Sequence, residues 1–188
     1  MARRRLVIGI SGASGAVYGI RLLETLSKRP DIETHLVVSR AAGLIITRET
    51  DKTVAEIEAL ADVAHRPDNL AAPIASGSFA TDGMIIVPCS IKTLSAVANS
   101  YAANLIRRAA DVTLKERRPL VLVVRETPLH LGQIRLMARA TEVGATILPP
   151  IPAFYGKPET IEDLIDETLG RVLSQVGVDN DLYTRWEG

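Results

Sequence analysis

Short apolar runs alternate with amphipathic segments along most of this chain. The apolar runs predict β-strands, and segments whose apolar residues recur every three or four positions predict α-helices. Predicted strands are RLVIGI at 5–10, THLVVS at 34–39, GMIIVP at 83–88, PLVLVV at 119–124 and ATILP at 145–149. Predicted helices lie at 17–28, near 40–50, at 53–60, from 93 onward, and at 104–117, 132–144 and 160–176.

Strand–helix alternation of this kind predicts an α/β protein with a doubly wound parallel sheet, helices covering both faces. The run PLVLVV has no polar alternation, which is typical of a strand buried on both sides. Thr160 and Asp163 are spaced as a capping box that opens the last helix. Residues 62–80 are predicted to be irregular, and the absence of a linker or repeat favours one domain, 1–188.

Composition narrows the class of protein. Lys plus Arg and Asp plus Glu both number 22, so the zero net charge argues against a general nucleic-acid binder. The basic start resembles a signal peptide, but glycines and serines interrupt its apolar part, and no apolar run reaches the roughly 20 residues of a membrane span. Cys89 is the only cysteine, which excludes an internal disulfide. We therefore expect a soluble, cytoplasmic protein that binds no membrane.

Ligands of such sheets bind where the strands end, so the loop SGASGA after the first strand is a candidate site. Gly12 and Gly15 permit a tight turn, and Ser14 lies near free N–H groups of the next helix, where phosphate binds well. The spacing is not that of a dinucleotide fingerprint, and Ser39 stands where a NAD site needs an acid. A mononucleotide, FMN, is favoured. The alternative is a close helix–strand crossing that requires small residues.

The loop PCSIKT after a later strand repeats this arrangement. Ser90 and Thr93 are candidates to cap a helix or to bind a ligand, and Cys89 is interpreted as a small buried residue rather than a nucleophile. His130 follows a strand end and is a candidate to face the site. No His, Cys, Asp and Glu cluster has ligand spacing, so no metal is predicted.

Two charged residues, Arg125 and Glu126, follow five apolar strand residues directly. Arginine suits bidentate phosphate binding, and a partly buried glutamate is a candidate acid or base. A salt bridge at the rim of the sheet is the alternative.

Four stretches of the chain resemble the UbiX family of flavin prenyltransferases: GISGASGAVYGIRLL, PCSIKTLSAV, RAADVTLKERRPLVLVVRETPLHLGQIRLM and PPIPAFYGKPETIEDLID. The resemblance implies a flavodoxin-like, Rossmann-like three-layer sandwich and a homo-oligomer, a dodecamer, with active sites shared between chains. The implied reaction transfers a dimethylallyl group from dimethylallyl monophosphate to N5 and C6 of reduced FMN, without a metal. The product would serve UbiD-type decarboxylases as a cofactor.

The resemblance also implies roles for individual residues. FMN contacts would come from Gly12, Ala13, Ser14, Ser39, Ser90, Ile91, Lys92, Thr93 and Arg125. The prenyl phosphate would be clamped by Lys115, Tyr155, Arg171 and Arg108, and protons handled by Glu49 and Glu126. Trp186 would lie near the prenyl group, where cation–π attraction could help a developing allylic cation.

Two further hypotheses stay open on sequence grounds. The chain could be a flavin-dependent decarboxylase or a subunit of one. In related peptidyl-cysteine decarboxylases a histidine follows the second strand, whereas here Ser39 is followed by Arg40. A flavin carrier for electron transfer is the other hypothesis, although a carrier has no need of a second phosphate clamp.

Overall fold

Six strands form one fully parallel sheet in the order β3–β2–β1–β4–β5–β6 in the computed structural model, which describes residues 3–186. The remaining residues of the predicted domain, 1–2 and 187–188, lie outside the described part. The strands are β1 (Arg4–Ile10), β2 (Ile32–Val38), β3 (Val63–His65), β4 (Gly83–Cys89), β5 (Leu120–Val124) and β6 (Thr146–Ile147).

Helices cover both faces of the sheet. They are α1 (Ala16–Leu26), α2 (Arg40–Glu49), α3 (Val54–Glu58), α4 (Ile91–Ala98), α5 (Leu105–Lys115), α6 (Leu131–Glu142) and α7 (Ile161–Gln175), with a 3-10 turn at Pro73–Ala75. One core joins α1, α2, α3 and α7 to the sheet, and the other joins α4, α5, α6 and the 3-10 turn. Successive strand side chains point to opposite faces, so Val7 lies in the second core and Ile8 in the first. The predicted doubly wound, three-layer architecture is confirmed.

The order of strands locates the ligand crevice. β1 and β4 are neighbours, but the chain leaves β1 toward β2 and leaves β4 toward β5. The loops after these two strands therefore diverge and open a crevice at the carboxyl edge of the sheet, which is where doubly wound proteins bind ligands.

Most predicted elements are confirmed with shifts of one or two residues at their ends. The capping box of α7 is confirmed: the hydroxyl of Thr160 accepts from the Asp163 N–H, and the Asp163 carboxylate accepts from the Thr160 N–H. The prediction of an irregular 62–80 is wrong in part, because it holds β3 and the 3-10 turn. Helix α4 begins at Ile91, two residues earlier than predicted. Among the described residues, every helix is too short or too polar to traverse a bilayer.

Candidate active site

A cavity of about 600 Å³ opens at the carboxyl edge of the sheet, and we call it the edge cavity. Its volume falls in the range usual for small-molecule sites, roughly 300–1,000 Å³. Its walls come from the loops after β1, β2, β3, β4 and β5 and from the start of α5. The lining residues are Gly12, Ser39, Arg40, Ala41, Pro67, Asp68, Ser90, Ile91, Lys92, Thr93, Ala103, Asn104, Ile106, Arg107 and Glu126.

Three helices begin at the edge cavity, and each has a side-chain cap. Ser39, Ser90 and Asn104 accept hydrogen bonds from the backbone N–H three residues further on, at 3.1, 3.3 and 3.1 Å. Residues of this kind are preferred caps because a short side-chain oxygen satisfies an otherwise unpaired N–H. Three N-terminal helix ends around one cavity give it positive potential, which suits a phosphate-bearing ligand.

Gly12 serves the ligand site and the packing of the chain together. It lines the edge cavity, and a Cβ at this position would lie 2.5 Å from Cβ of Ala41 at the start of α2. A small residue is therefore required at Gly12 for a close contact between the loop after β1 and the start of α2, whether or not a ligand binds. Ser11 adds a link between loops, because its Oγ accepts from the Ser90 N–H at 2.8 Å and donates to the Pro88 carbonyl at 3.0 Å. These two hydrogen bonds hold the loop after β1 against the end of β4 and the loop that follows it, on one side of the cavity.

The start of α1 holds a carboxylate of this chain. Glu49, at the end of α2, accepts hydrogen bonds on Oε2 from the N–H groups of Gly15 and Ala16 at 2.9 and 3.0 Å. In the single chain these two N–H groups are therefore already satisfied, contrary to the expectation that a phosphate would take them. Partial burial alone would raise the pKa of Glu49, but hydrogen bonds from Ser14, Ala16 and Gly15 and the charge of Arg125 together lower it. Glu49 is therefore ionised at neutral pH.

Arg125 and Glu126 leave β5 in the predicted place, at the carboxyl edge. The N–H of Arg125 donates to the Cys89 carbonyl at 3.1 Å, and its side chain lies near enough to Glu49 to influence that carboxylate. Glu126 lines the edge cavity, and its Oε1 accepts from the Thr127 N–H at 3.1 Å. The partial burial expected for Glu126 is absent in the single chain, where this side chain is exposed.

Cys89 and His130 have structural roles in the chain: one is buried in the core and the other caps a helix. Burial raises the pKa of the Cys89 thiol, which therefore stays protonated, as expected for a small buried residue. His130 caps α6, and its Nδ1 accepts from the Gly132 N–H at 3.1 Å. Within residues 3–186, no group of three or more His, Cys, Asp or Glu side chains is arranged to hold a metal ion.

Three other predicted residues lie on α7 or in the loops that flank it. Tyr155 and Trp186 pack edge to face with ring centroids 5.8 Å apart. The guanidinium of Arg171, on α7, lies 5.7 Å from the ring centre of Tyr183. Arg171, Tyr155 and Trp186 are all exposed.

Arg108 and Lys115 lie on α5, in the layer on the opposite face of the sheet. Nε of Arg108 donates to the Ala75 carbonyl at 3.0 Å, and its Nη1 forms an ion pair with Asp111 at 3.1 Å. Lys115, in the last turn of α5, forms an ion pair with Glu116. Since α5 starts at the edge cavity, Lys115 lies at the far end of that helix.

Comparison with known proteins identifies the family. Residues 1–173 match the Flavoprotein family model. The chain is 58% identical over 187 residues to the flavin prenyltransferase UbiX of Escherichia coli strain K12, covering 98% of this chain and 99% of that protein. The chain belongs to the UbiX family of flavin prenyltransferases.

Solved structures of UbiX proteins have the same fold. A crystal structure of AnUbiX in complex with FMN and dimethylallyl pyrophosphate matches with a TM-score of 0.95 and 50% identity, covering 99% of this chain and 98% of that one. A dodecameric FMN-dependent UbiX-like decarboxylase from Escherichia coli O157:H7 also has a TM-score of 0.95, with 46% identity and coverage of 98% and 100%.

Most of the residues predicted to contact FMN come together in this chain, whereas those predicted to clamp the prenyl phosphate do not. Six of the predicted FMN residues line the edge cavity: Gly12, Ser39, Ser90, Ile91, Lys92 and Thr93. Ser14 and Arg125 lie close to Glu49 instead, and Ala13 is outside the lining of the cavity. The predicted phosphate clamp is divided between the layer of α7 and the layer of α5.

Several residues of the edge cavity were not found from the sequence: Arg40, Ala41, Pro67, Asp68, Ala103, Asn104, Ile106 and Arg107. Pro67 and Asp68 follow β3, so recognising that short strand would have brought its carboxyl end into consideration. Asn104 is the first residue of the helix predicted at 104–117, and its type, which is common at helix N-caps, is the signal that marks it as the cap of α5.

Proposed function

We propose that this protein is a flavin prenyltransferase, which joins a dimethylallyl group from dimethylallyl monophosphate to N5 and C6 of reduced FMN. The observation that carries the proposal is 58% identity to a flavin prenyltransferase over nearly the whole of both chains. The structurally similar AnUbiX holds FMN and dimethylallyl pyrophosphate together, which are a flavin and a prenyl donor.

The edge cavity fits FMN by size, and three cationic side chains against the two carboxylates of Asp68 and Glu126 give its wall a small excess of positive charge. Three capped helix starts meet there, and Arg40, Lys92 and Arg107 add cationic side chains for the phosphate of the flavin. Ser39 only accepts in its cap, so its O–H can still donate to an oxygen of the cofactor. When bound, reduced FMN supplies the electron-rich N5 and C6 atoms.

The prenyl donor loses phosphate together with the electron pair of its carbon–oxygen bond. Cations and hydrogen-bond donors that meet this growing charge lower the barrier most effectively. We assign this role to Lys115, Arg171, Tyr155 and Arg108. Because Lys115 and Arg171 lie in opposite layers of one chain, a clamp that contains both requires a second copy.

Bond formation at C6 replaces a ring hydrogen, so a proton must be accepted nearby. Glu126 lines the edge cavity, and Glu49 lies close to Arg125. Glu49 is ionised at neutral pH and is therefore available as a proton acceptor, while the neighbours that lower its pKa make it a weaker base. Trp186 would face the allylic cation with its ring.

The proposal extends to assembly, partner and compartment. We propose a homo-oligomer, a dodecamer like the UbiX-like protein from Escherichia coli O157:H7, and a UbiD-type decarboxylase that receives the product. A cytoplasmic location agrees with the buried, unpaired Cys89, since reducing compartments keep thiols free.

The deciding experiment is mass spectrometry of the flavin after anaerobic incubation with reduced FMN and dimethylallyl monophosphate. We expect a flavin heavier by one dimethylallyl group, with release of inorganic phosphate. A parallel incubation with dimethylallyl pyrophosphate tests which donor is used. Unchanged flavin with both donors would contradict the proposal, and carbon dioxide release from an aromatic acid without any prenyl donor would favour the decarboxylase hypothesis instead.

A further inference from the structure

Arg107 has an unusual place in the wall of the edge cavity. It is the third residue of α5, and it is half-buried between the edge cavity and a smaller hollow next to α4. The smaller hollow is lined by Lys92, Ser95, Ala96, Asn99, Tyr101 and Arg107. The backbone N–H of Arg107 donates to the side chain of Asn104. The unusual feature of Arg107 is therefore its guanidinium group.

The guanidinium of Arg107 has an unmet hydrogen-bond donor. Its Nε is buried and has no hydrogen-bond partner within the described part of the chain. Arg108 contrasts with it, because its Nε donates to Ala75 and its Nη1 pairs with Asp111. Buried donors are nearly always satisfied in folded proteins, so an unmet donor points to a missing acceptor.

An anion in the edge cavity would offer this guanidinium an acceptor, since Arg107 lines the cavity. Among the other cations of the wall, Arg40 is exposed and already lies 3.5 Å from Asp68. Lys92 is exposed on the surface of α4 and costs little to leave hydrated. Arg107 is the cation that is partly desolvated before any ligand arrives, so it gains most from a charged acceptor. Its planar guanidinium also matches two phosphate oxygens at once.

We propose that Arg107 binds the phosphate of FMN and makes the edge cavity select FMN over riboflavin, which has no phosphate. This inference rests on the proposed function only for the identity of the flavin. The capped starts of α2, α4 and α5 would supply backbone dipoles to the same phosphate. Arg107 is thus assigned to cofactor binding, a role that the sequence resemblance did not give it.

The test compares the dissociation constants of oxidised FMN and riboflavin by fluorescence titration, without any prenyl donor. We expect Arg107→Gln to weaken FMN binding by about 10- to 100-fold, as for loss of a hydrogen bond to a charged group, and to leave riboflavin binding unchanged. Arg139→Gln is the matched control, because Arg139 is exposed in the last turn of α6, away from the edge cavity. It should bind both flavins like the unmodified protein.

Thermal unfolding of the flavin-free protein separates ligand binding from a structural role. Arg107→Gln removes an unsatisfied donor, so its melting temperature without flavin should not fall, while the rise produced by FMN should shrink. An unchanged FMN to riboflavin affinity ratio in Arg107→Gln would overturn the proposal. A lower melting temperature or a smaller oligomer, together with an unchanged FMN to riboflavin affinity ratio, would also overturn it. Arg107 would then act in folding or in contacts between copies. Since no prenyl donor is present, failure of prenylation would leave this result unaffected.

Discussion

Glu49 shows how one side chain can belong to the fold and to the site. Its Oε2 caps α1 by accepting from Gly15 and Ala16, and its charge is favoured by Arg125. A capping acceptor stabilises a helix whether or not it carries a proton-transfer role. Loss of activity after mutation of Glu49 would therefore be ambiguous, unless a variant keeps the cap and removes only the charge.

Glu49→Gln is that variant, and Glu49→Ala is its partner. We expect Glu49→Ala to lose about 0.5–2 kcal/mol of unfolding free energy, as for other lost caps, and Glu49→Gln to lose less. Both should slow prenylation markedly, since neither side chain can accept a proton. Urea unfolding and product formation followed by mass spectrometry measure the two effects.

A neighbouring acid provides the control for these variants. Asp51 is exposed and two residues further along, so Asp51→Ala should change stability by less than about 0.5 kcal/mol. Wild-type prenylation by Glu49→Gln would limit Glu49 to capping α1.

A second residue of interest, His65, lies at the end of β3 and faces other titratable groups. Its Nε2 is 3.0 Å from Nδ1 of His35, whose Nε2 is 2.8 Å from Glu33. Arg5 completes this group through an ion pair with Glu33. Burial first, and then the charge of His35, lowers the pKa of His65. The folded protein therefore resists protonation of this ring.

This pKa direction predicts that stability falls as the solution is acidified. Above a pH of about 6.5, His65 is neutral in both the folded and the unfolded protein, and it does not change the unfolding free energy. Below that value the unfolded chain binds a proton that the folded chain refuses, so unfolding free energy declines until the folded-state pKa is passed. Between about pH 7 and pH 5, the unfolding free energy of His65→Asn should fall less than that of the unmodified protein, as measured by urea unfolding. Parallel curves for the two proteins would show that His65 is not the cause.

At the scale of elements, the sequence predicted the strands that consist of long apolar runs. β1, β4 and β5 are buried along most of their length, and their composition alone identifies them. β3 has three residues and lies at an edge of the sheet, where exposed side chains carry no apolar pattern. Pairing with β2 makes it a strand, and no local property of its residues reveals that partner.

The site residues on α5 show a similar limit. Successive residues of a helix point about 100° apart, so the side chains of Arg107 and Arg108 face different surroundings. Arg107 lines the edge cavity, whereas Arg108 contacts Ala75 and Asp111. The sequence resemblance singled out Arg108, and only the packing of α5 on the sheet shows which of the two faces the cavity.

At the scale of the whole molecule, one chain leaves much apolar surface uncovered. α6 buries only Ala140 of its 12 residues. The exposed apolar side chains include Leu129, Leu131, Ile134, Val143, Ile151, Phe154 and Ile161. Surfaces of this kind are typical of contacts between subunits, which agrees with the proposed homo-oligomer. Such contacts could bring α5 of one copy toward α7 of another.

A shared site can be tested by mixing two inactive variants. Lys115→Ala lacks the cation at the end of α5, and Arg171→Ala lacks the cation on α7. If a working site takes Lys115 from one copy and Arg171 from another, a mixed oligomer contains sites built from the two intact residues. Random assembly from equal amounts makes about one site in four complete, because each of the two positions is intact in half of the copies.

We therefore expect each variant alone to form almost no prenylated flavin. The mixture, unfolded and refolded together or produced together in one cell, should recover about a quarter of the unmodified rate per site. Mixing the two variants after each has assembled separately is the control, and it should recover nothing until subunits exchange. Light scattering confirms that mixed and unmixed samples have the same mass. If the co-assembled mixture is as inactive as either variant, Lys115 and Arg171 do not meet across two copies, and the division of the predicted clamp between opposite layers excludes one of them from the site.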